Sequence, residues 1–263
     1  MAIPGGRSAY RWLARRLALQ RLERMLPAAA RANDASTIFE AIYQTNAWGS
    51  TESRSGPGST LAFTTRLRGE LSSLASSLSI RTLLDAPCGD FNWMQAVRWE
   101  SPIHYIGGDI SPSLIARNRD MHAGNGRTFS VLDIRHDDLP PADLWLCRDC
   151  LFHLPEHDVF AVLRNFVRHD IPWLLTSCHT DCRINTDAPT GGFRLLNLEL
   201  APYTLGPPVA TIEDWVPGHA RRHLALWRRE QVAAVVGSCE NAKGPRRVPR
   251  TGSPINRTAA PAS

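Results

Sequence analysis

A short apolar segment that ends in an acidic residue and enters a tight turn constrains the fold of this chain more than any other feature. The segment is residues 81–85 (RTLLD), and the turn that follows is residues 86–90 (APCGD). An unbroken run of β-branched and aliphatic residues is typical of a parallel strand that is covered on both faces. Ligands of open α/β sheets bind beyond the carboxyl ends of the strands, where Asp85 and the close-approach position Gly89 are expected.

Two further predicted strands also carry an acid at their ends. Residues 103–110 (IHYIGGDI) place Asp109 twenty positions after Gly89, and residues 128–134 (TFSVLDI) contain Asp133. An acid about 20 residues beyond a glycine turn is the arrangement in which a carboxylate binds the ribose hydroxyls of a nucleoside. Each Asp alone could instead cap the next helix or turn, but their joint placement favours one ligand site. A nicotinamide-dependent reductase is disfavoured because the turn lacks G-x-G-x-x-G.

Residues 85–90 (DAPCGD) resemble the first motif of the class I S-adenosylmethionine-dependent methyltransferases, and residues 105–110 (YIGGDI) resemble the second. The resemblance covers roughly residues 81–227. It implies an α/β fold, namely a Rossmann-like, seven-stranded, mostly parallel sheet of strand order 3-2-1-4-5-7-6, with flanking helices and an N-terminal helical cap. It also implies S-adenosyl-L-methionine as cofactor. Pro87 and Phe91 stand where the family often has glycine, so a non-catalytic nucleoside-binding module is the rival hypothesis.

The resemblance implies specific cofactor-binding roles for the residues at the strand ends. Asp109 would bind the ribose, and Asp133 would accept a hydrogen bond from the adenine amino group. Arg54, in the polar segment 45–60, could pair with the carboxylate of the cofactor's methionine end. The full predicted cofactor-binding set is Asp85, Cys88, Gly89, Asp90, Asp109, Ile110, Asp133, Ile134, Arg148 and Arg54.

Asp149 and His153 are the predicted catalytic residues, because in the family the residues just past the fourth strand face both cofactor and acceptor. A sulfonium is already an excellent leaving group, so alignment of the acceptor provides much of the rate. A hydroxyl acceptor must still lose its proton, which a histidine or a carboxylate could take. A histidine with apolar neighbours can equally be a core residue with satisfied hydrogen bonds.

The segment 45–60 is predicted to be a lid over the ligand, with an ordinary loop before the next helix as the alternative. The predicted acceptor-facing residues are Trp48, Phe152, His179 and Asp181, beside His153. The polar loops and an acidic central segment favour a small polar acceptor, with a hydroxyl of a sugar or glycan-type metabolite preferred. A methyltransferase acting on a protein side chain is the alternative.

Charge along the chain bears on its partners. The net charge is +5, of which residues 1–33 contribute +6 and residues 243–263 contribute +5, leaving −6 for the segment between them. Polymeric nucleic acid is therefore disfavoured as a substrate. No apolar run approaches the roughly 20 residues of a transmembrane helix. Six dispersed cysteines in a chain of this size predict reduced thiols and a cytoplasmic protein. The oligomeric state stays open.

The predicted organisation has three parts. Residues 1–34 form a basic helical extension that shares its Arg-rich composition with targeting segments. Residues 35–235 form the methyltransferase domain, whose helical cap (35–78) contains helices over 35–48, with Ser36 as N-cap, and over 59–78. A long polar loop, 179–208, lies over the site and precedes a hairpin of residues 210–215 and 223–228. Residues 236–263 form a disordered basic tail.

The spacing of Cys147 and Cys150, with Cys178, His179 and Cys182 further along, raises the question of a zinc site. Cys147 lies within an apolar strand, where its side chain should pack as a small hydrophobe. The prediction is therefore that no metal is bound.

Overall fold

The computed structural model describes residues 34–242, with side chains to residue 237. Seven strands form one sheet of order β3-β2-β1-β4-β5-β7-β6. The strands are β1 (Thr82–Asp85), β2 (His104–Asp109), β3 (Arg127–Val131), β4 (Leu144–Cys147), β5 (Trp173–His179), β6 (Ala210–Glu213) and β7 (Arg222–Arg228). Neighbouring strands from β3 to β5 are parallel, whereas β7 is antiparallel to both β5 and β6. The predicted fold class, strand order and closing hairpin are confirmed.

The described helices cover both faces of the sheet. They are α1 (Ala35–Thr45), α2 (Thr65–Ser77), α3 (Pro112–His122), α4 (Glu156–Arg168) and α5 (Arg229–Ala242). Successive residues of β1 enter different cores: Leu84 packs with Trp145 and Phe166 on the α4–α5 side, and Leu83 packs with residues of α2 and α3. Both leucines are buried because both faces are covered, which explains the unbroken apolar run of this strand.

Helix α1 lies against the ends of β2 and α3. Its N-cap is Asp34, whose carboxylate accepts hydrogen bonds from the Ser36 and Thr37 amides, so the prediction of Ser36 as N-cap was wrong. The Ser36 hydroxyl instead donates to the Ile110 carbonyl oxygen at 3.2 Å. Ser111 is the N-cap of α3, and its hydroxyl accepts a hydrogen bond from the Leu114 amide. Helix α1, part of the predicted helical cap, is therefore hydrogen-bonded directly to the carboxyl edge of the sheet.

Several predicted boundaries are corrected. Helix α2 begins at Thr65 rather than 59, because Pro57–Ser59 forms a separate 3₁₀ turn. Strand β3 ends at Val131, so Asp133 lies in the following turn, where its amide donates to Asp137. Helix α5 continues to Ala242, and Val232 and Val236 are buried, so the tail predicted from 236 begins too early. The predicted extension over residues 1–33 and the tail from 243 lie outside the described residues.

The segment between β5 and β6 contains no helix or strand, as expected, but it is not simply a polar loop. Leu196, Leu198 and Tyr203 are buried in the core on the α4–α5 side. The segment also bonds to the turn after β4, since the Gly191 amide donates to the His153 carbonyl oxygen at 2.8 Å. Across residues 34–242, no helix combines the length and hydropathy that a bilayer crossing requires.

Candidate active site

A cleft of about 1000 Å³, open mouth included, lies at the carboxyl ends of β1, β2 and β4. Helix α1 and the segment 48–59 form its opposite wall. The structure brings most of the predicted site residues into this one cleft: Asp85, Cys88, Gly89, Asp109, Ile110, Asp133, Ile134, Arg148, Asp149, His153, Trp48 and Arg54. Asp85, Asp109 and Asp133 thus share a cavity.

Asp109 joins the glycine turn to the end of β2. One carboxylate oxygen accepts from the Gly89 amide at 3.1 Å, and the other accepts from the Ser111 amide at 3.1 Å. Burial raises the pKa of Asp109 to about 6, although these backbone hydrogen bonds favour the ionised form. Asp109 therefore holds the turn in place while facing the cleft.

Asp85 is buried at the end of β1 and accepts a hydrogen bond from the Tyr105 hydroxyl at 2.7 Å. Burial raises the pKa of Asp85 to about 7, and this effect outweighs the opposing effects of Tyr105 and the Arg148 charge. Burial therefore makes Asp85 easier to protonate near neutral pH than an exposed aspartate.

Asp133 faces the cleft, but its carboxylate is bound by Arg135. The Arg135 guanidinium donates to both Asp133 oxygens, at 2.9 and 2.7 Å, and to Asp158 at 2.8 Å. Burial would raise the pKa of Asp133, but the Arg135 hydrogen bonds hold it below its ordinary value. Arg135 itself lines the cleft and was missed by the sequence analysis, although it follows Asp133 by only two residues.

Asp90, a predicted cofactor ligand, does not line the cleft. Its carboxylate accepts hydrogen bonds from the Ser53 and Ser55 hydroxyls at 2.9 and 3.1 Å, and from the Arg54 amide at 2.8 Å. Gly89 has a φ of +55°, and a Cβ there would collide with the Ser55 side chain. The turn and the segment 53–55 are therefore packed directly together, with Asp90 as their link.

Phe91, which departs from the family motif, does not narrow the cleft. Its ring packs against Tyr105 and Phe129, with centroid distances of 5.0 and 5.3 Å. The side chain belongs to the buried core on the α2–α3 side and is absent from the residues that line the cleft. The departure at this position is accommodated by core packing.

Trp48 and His153 stack on each other in the wall of the cleft, with ring centroids 5.4 Å apart and an interplanar angle of 29°. His153 Nδ1 is hydrogen-bonded to the Gly192 carbonyl oxygen. A carbonyl can only accept, so Nδ1 carries the hydrogen, and the neutral ring has its basic lone pair on Nε2. Helix α1 adds Phe39 and Tyr43 to the wall nearby.

Asp149 is ionised and held by two arginines. Arg222 donates to its carboxylate at 2.8 Å, and Arg148 lies 3.5 Å away. Burial raises the pKa of Asp149, but the charges of Arg148 and Arg222 outweigh it and bring the pKa to about 2. Such a carboxylate is a poor general base at neutral pH, so the role of base suggested for Asp149 by the sequence does not fit its surroundings.

Asp214 completes a buried cluster of two acids and two bases. It accepts two hydrogen bonds from Arg148, both at 2.9 Å, and one from Arg222 at 3.2 Å. Arg148 also donates to the Gly58 carbonyl oxygen at 2.7 Å, so its guanidinium is occupied by protein groups. Asp214 and Arg222 were not predicted, because they flank the β6–β7 turn and only the sheet pairing brings them to Asp149.

Three predicted acceptor-facing residues lie elsewhere. Phe152 is buried against His179, and neither lines the cleft. His179 Nδ1 accepts from the Leu196 amide, and burial lowers the pKa of His179 to about 4, so it is a neutral core residue. Asp181 is exposed and accepts from the Arg221 amide. The short 3₁₀ turn after β4 directs Phe152 inward, while His153 faces the cleft.

The cysteines do not assemble the zinc site that the sequence spacing raised. Cys147 and Cys150 are buried beside each other, and contact with Cys147 together with burial raises the pKa of the Cys150 thiol. Within residues 34–242, the set of side chains that converges as metal ligands is a different one, Cys178, Glu199 and His223.

No protein-family model and no curated protein matches the chain. Among solved structures, PigF with SAH matches at 17% identity and a TM-score of 0.50, over 79% of this chain and 69% of PigF. Magnesium protoporphyrin IX methyltransferase from Synechocystis with bound SAM matches at 15% identity and 0.49, over 73% and 96% of the two chains. N-methyltransferase NodS from Bradyrhizobium japonicum matches at 16% and 0.49, over 64% and 96%. Together with the strand order, the match to PigF shows that the chain has the Rossmann-like, seven-stranded fold that the resemblance to the class I S-adenosylmethionine-dependent methyltransferases implied.

Proposed function

We propose that this protein is an S-adenosylmethionine-dependent methyltransferase. The observation that carries the proposal is the convergence of Asp85, Asp109 and the Gly89 turn on one cleft at the carboxyl edge of this fold. The neighbour PigF is in complex with SAH, the demethylated form of the same cofactor. Buried free cysteines suit a reducing compartment, so a cytoplasmic location is part of the proposal.

The residues present fit the cofactor. A carboxylate offers about four lone-pair sites, so Asp109 can accept from ribose hydroxyls while keeping its two backbone hydrogen bonds. Ile110, Leu132 and Ile134 provide an apolar wall suited to a planar base. Asp85 and the exposed Arg54 are the charged groups available for the amino and carboxylate ends of a methionine moiety. The cofactor supplies an activated methyl group on a sulfonium.

Asp133 can accept a hydrogen bond from an adenine amino group while it remains paired with Arg135. Arg135 binds both carboxylate oxygens, but each oxygen has a second lone pair. We propose that Arg135 orients Asp133 and that the pair together forms the adenine end of the site.

We further propose that the acceptor is a small polar metabolite with a hydroxyl group, of sugar or glycan type, and that His153 is the base. His153 Nε2 is the nitrogen that can accept a proton, because Nδ1 is committed to the Gly192 carbonyl oxygen. The anionic Asp149 would stabilise the imidazolium that forms, since the two charges interact favourably. Trp48 lines the cleft beside His153, and an indole ring is an apolar surface suited to packing against a sugar ring.

Calorimetry with S-adenosylmethionine and S-adenosylhomocysteine, paired with a radiolabelled methyl-transfer screen, tests this function. We expect both ligands to bind and methyl transfer to be detected on hydroxylated metabolites. Binding without transfer to any acceptor class would support the non-catalytic nucleoside-binding module. Transfer to peptide side chains alone would remove the hydroxyl acceptor and keep the enzyme, and absence of binding would overturn the whole proposal.

His153→Ala tests the proposed base. We expect turnover to fall by ~10²–10⁴-fold, the usual contribution of a general base, with cofactor affinity nearly unchanged. His157→Ala is the matched control, because His157 lies on α4 with 72% of its side chain exposed. Equal turnover in His153→Ala and wild type would remove His153 from the mechanism.

A further inference from the structure

We propose a structural zinc site formed by Cys178, Glu199 and His223. Cys178 on β5 and His223 on β7 are direct partners in the antiparallel register. Directly opposed residues share one face of a sheet, with Cβ atoms about 4.5–5.5 Å apart. Glu199 reaches the same place from the segment between β5 and β6. Three residues distant in sequence therefore meet through tertiary structure.

The ligand atoms are spaced for a single ion. The Cys178 sulfur, a Glu199 carboxylate oxygen and a His223 ring nitrogen all lie within 4.8 Å of one another. Zinc bonds to sulfur at about 2.3 Å and to nitrogen or oxygen at about 2.0–2.2 Å, so its ligand atoms lie roughly 3.5 Å apart. Small side-chain rotations close the remaining difference.

A second observation points to a ligand at this cluster. His223 Nε2 is buried and has no hydrogen-bond partner among the described residues. An unsatisfied buried polar atom is unfavourable and uncommon in folded proteins. A metal ion that the cluster binds through Nε2 would satisfy this atom.

The donor set selects the class of metal. One thiolate, one imidazole and one carboxylate are ligands that zinc uses together, whereas calcium and magnesium take oxygen ligands alone. The Asn197 amide oxygen, 3.3 Å from the Cys178 sulfur, or a water molecule can serve as the fourth ligand. On binding, the zinc–sulfur bond replaces the S–H bond, and one proton leaves to solvent.

The site lies behind the wall of the cleft. Cys178 follows Ser177 and His223 follows Arg222, and both of these preceding residues bond to Asp149. Successive strand residues point to opposite faces, so the proposed ion and Asp149 occupy opposite faces of the same strand ends. None of the three ligands lines the cleft, which makes the site structural. The ion would fix the strand ends that position Asp149.

Cobalt titration of the full-length chain, after removal of bound metal with a chelator, tests the proposal. We expect one cobalt ion per chain with a thiolate-to-cobalt charge-transfer band that zinc abolishes by displacement. Cys178→Ser should lose the band, and Glu199→Gln should weaken cobalt binding by about tenfold or more. Cys182→Ser is the matched control, because Cys182 is a buried thiol of the same segment that lies outside the cluster.

Glu199→Gln decides the question if Cys178→Ser fails to fold by circular dichroism. The proposal would be overturned if the wild-type protein showed no charge-transfer band or if a folded Cys178→Ser kept the band undiminished. Unchanged cobalt affinity in Glu199→Gln would overturn it as well. Loss of the band in Cys182→Ser would also overturn it, since the metal would then lie elsewhere. Metal binding is measured without methyl transfer, so this test is independent of the proposed function.

Discussion

At the scale of single residues, the buried carboxylates of the cleft differ in charge because their partners differ. Asp85 has a hydroxyl partner, and burial raises its pKa to about 7. Asp149 is also buried, but the guanidinium groups of Arg148 and Arg222 bring its pKa to about 2. The cleft therefore contains one carboxyl, Asp85, that titrates near neutral pH and one, Asp149, that stays ionised. A charged ligand can change the protonation of Asp85, whereas the negative charge of Asp149 is permanent.

Asp109→Ala should weaken the binding of S-adenosylhomocysteine by about 10–100-fold, because hydrogen bonds to a charged group contribute about 1.5–3 kcal/mol. Calorimetry measures the effect, with circular dichroism to confirm folding. Asp120→Ala is the matched control, since Asp120 is exposed on α3. Affinity equal to wild type in Asp109→Ala would contradict the proposed ribose contact.

Asp85→Asn should stabilise the cofactor-free protein relative to wild type, and by more at higher pH. The folded-state pKa of about 7 lies above the unfolded value, so protonated Asp85 favours the folded state at low pH, and this contribution is lost as the pH rises. We expect the advantage of the variant to grow from about pH 4 to about pH 7 and then level at about 4 kcal/mol.

Urea unfolding over this pH range measures the advantage of Asp85→Asn, with Asp120→Asn as an exposed carboxylate for comparison. A difference from wild type that stays constant with pH would show that Asp85 is not the titrating group.

At the scale of elements, the lid segment and helix α1 are fastened to the sheet edge by a few acids. Glu40 on α1 accepts from the Ser111 hydroxyl at 2.6 Å and from the Ser113 amide at 3.3 Å. Asp90 holds segment 53–55 to the glycine turn. The segment around Trp48 and Arg54 is therefore hydrogen-bonded to the turn beneath it, and its role as a lid stays a prediction.

Asp90→Ala should loosen this segment without removing a group from the cleft. Three donors, the Ser53 and Ser55 hydroxyls and the Arg54 amide, lose their acceptor. We expect faster amide hydrogen exchange over residues 53–55 and about tenfold weaker S-adenosylhomocysteine binding, because Arg54 and Ser55 of this segment line the cleft and would be held in place less often. Asp120→Ala again serves as control. Unchanged exchange in Asp90→Ala would show that other contacts hold the segment.

At the scale of the whole molecule, the buried cluster of Arg148, Asp149, Asp214 and Arg222 ties distant parts of the chain together. It joins the end of β4, the β6–β7 hairpin and, through the Gly58 carbonyl oxygen, the lid side of the cleft. Two acids balance two bases, so the cluster is neutral as a unit. Removal of one member leaves an uncompensated buried charge.

Asp214→Ala should reduce the free energy of unfolding by about 3–5 kcal/mol, since it leaves Arg148 and Arg222 with one carboxylate between them. Urea unfolding measures the loss. Asp138→Ala is the control, because 94% of that side chain is exposed and its ion pairs are at the surface. A loss below about 1 kcal/mol in Asp214→Ala would mean that water replaces the missing carboxylate.

Local patterns in the sequence were sufficient for most of the strands and for much of the cleft, whereas the strand order came from the resemblance to a known family. The apolar strand β1 must be covered on both faces, and acids at the ends of parallel strands must meet at one edge, so Asp85, Asp109 and Asp133 could be placed together. The position of Trp48 and Arg54 in the wall of the cleft could be predicted as well, because an aromatic and a charged residue within a polar loop indicate a binding segment.

Pairings between distant residues were decided only in the folded chain. The register of β5 with β7 brings Arg222 to Asp149 and His223 to Cys178, and no local period in the sequence encodes that register. Arg222, placed by this register, helps to keep Asp149 ionised. Burial together with the Arg222 charge lowers the pKa of His179, which is a neutral core residue. Strand periodicity specifies which face a residue takes, whereas its partner across the sheet and its pKa depend on long-range packing and burial.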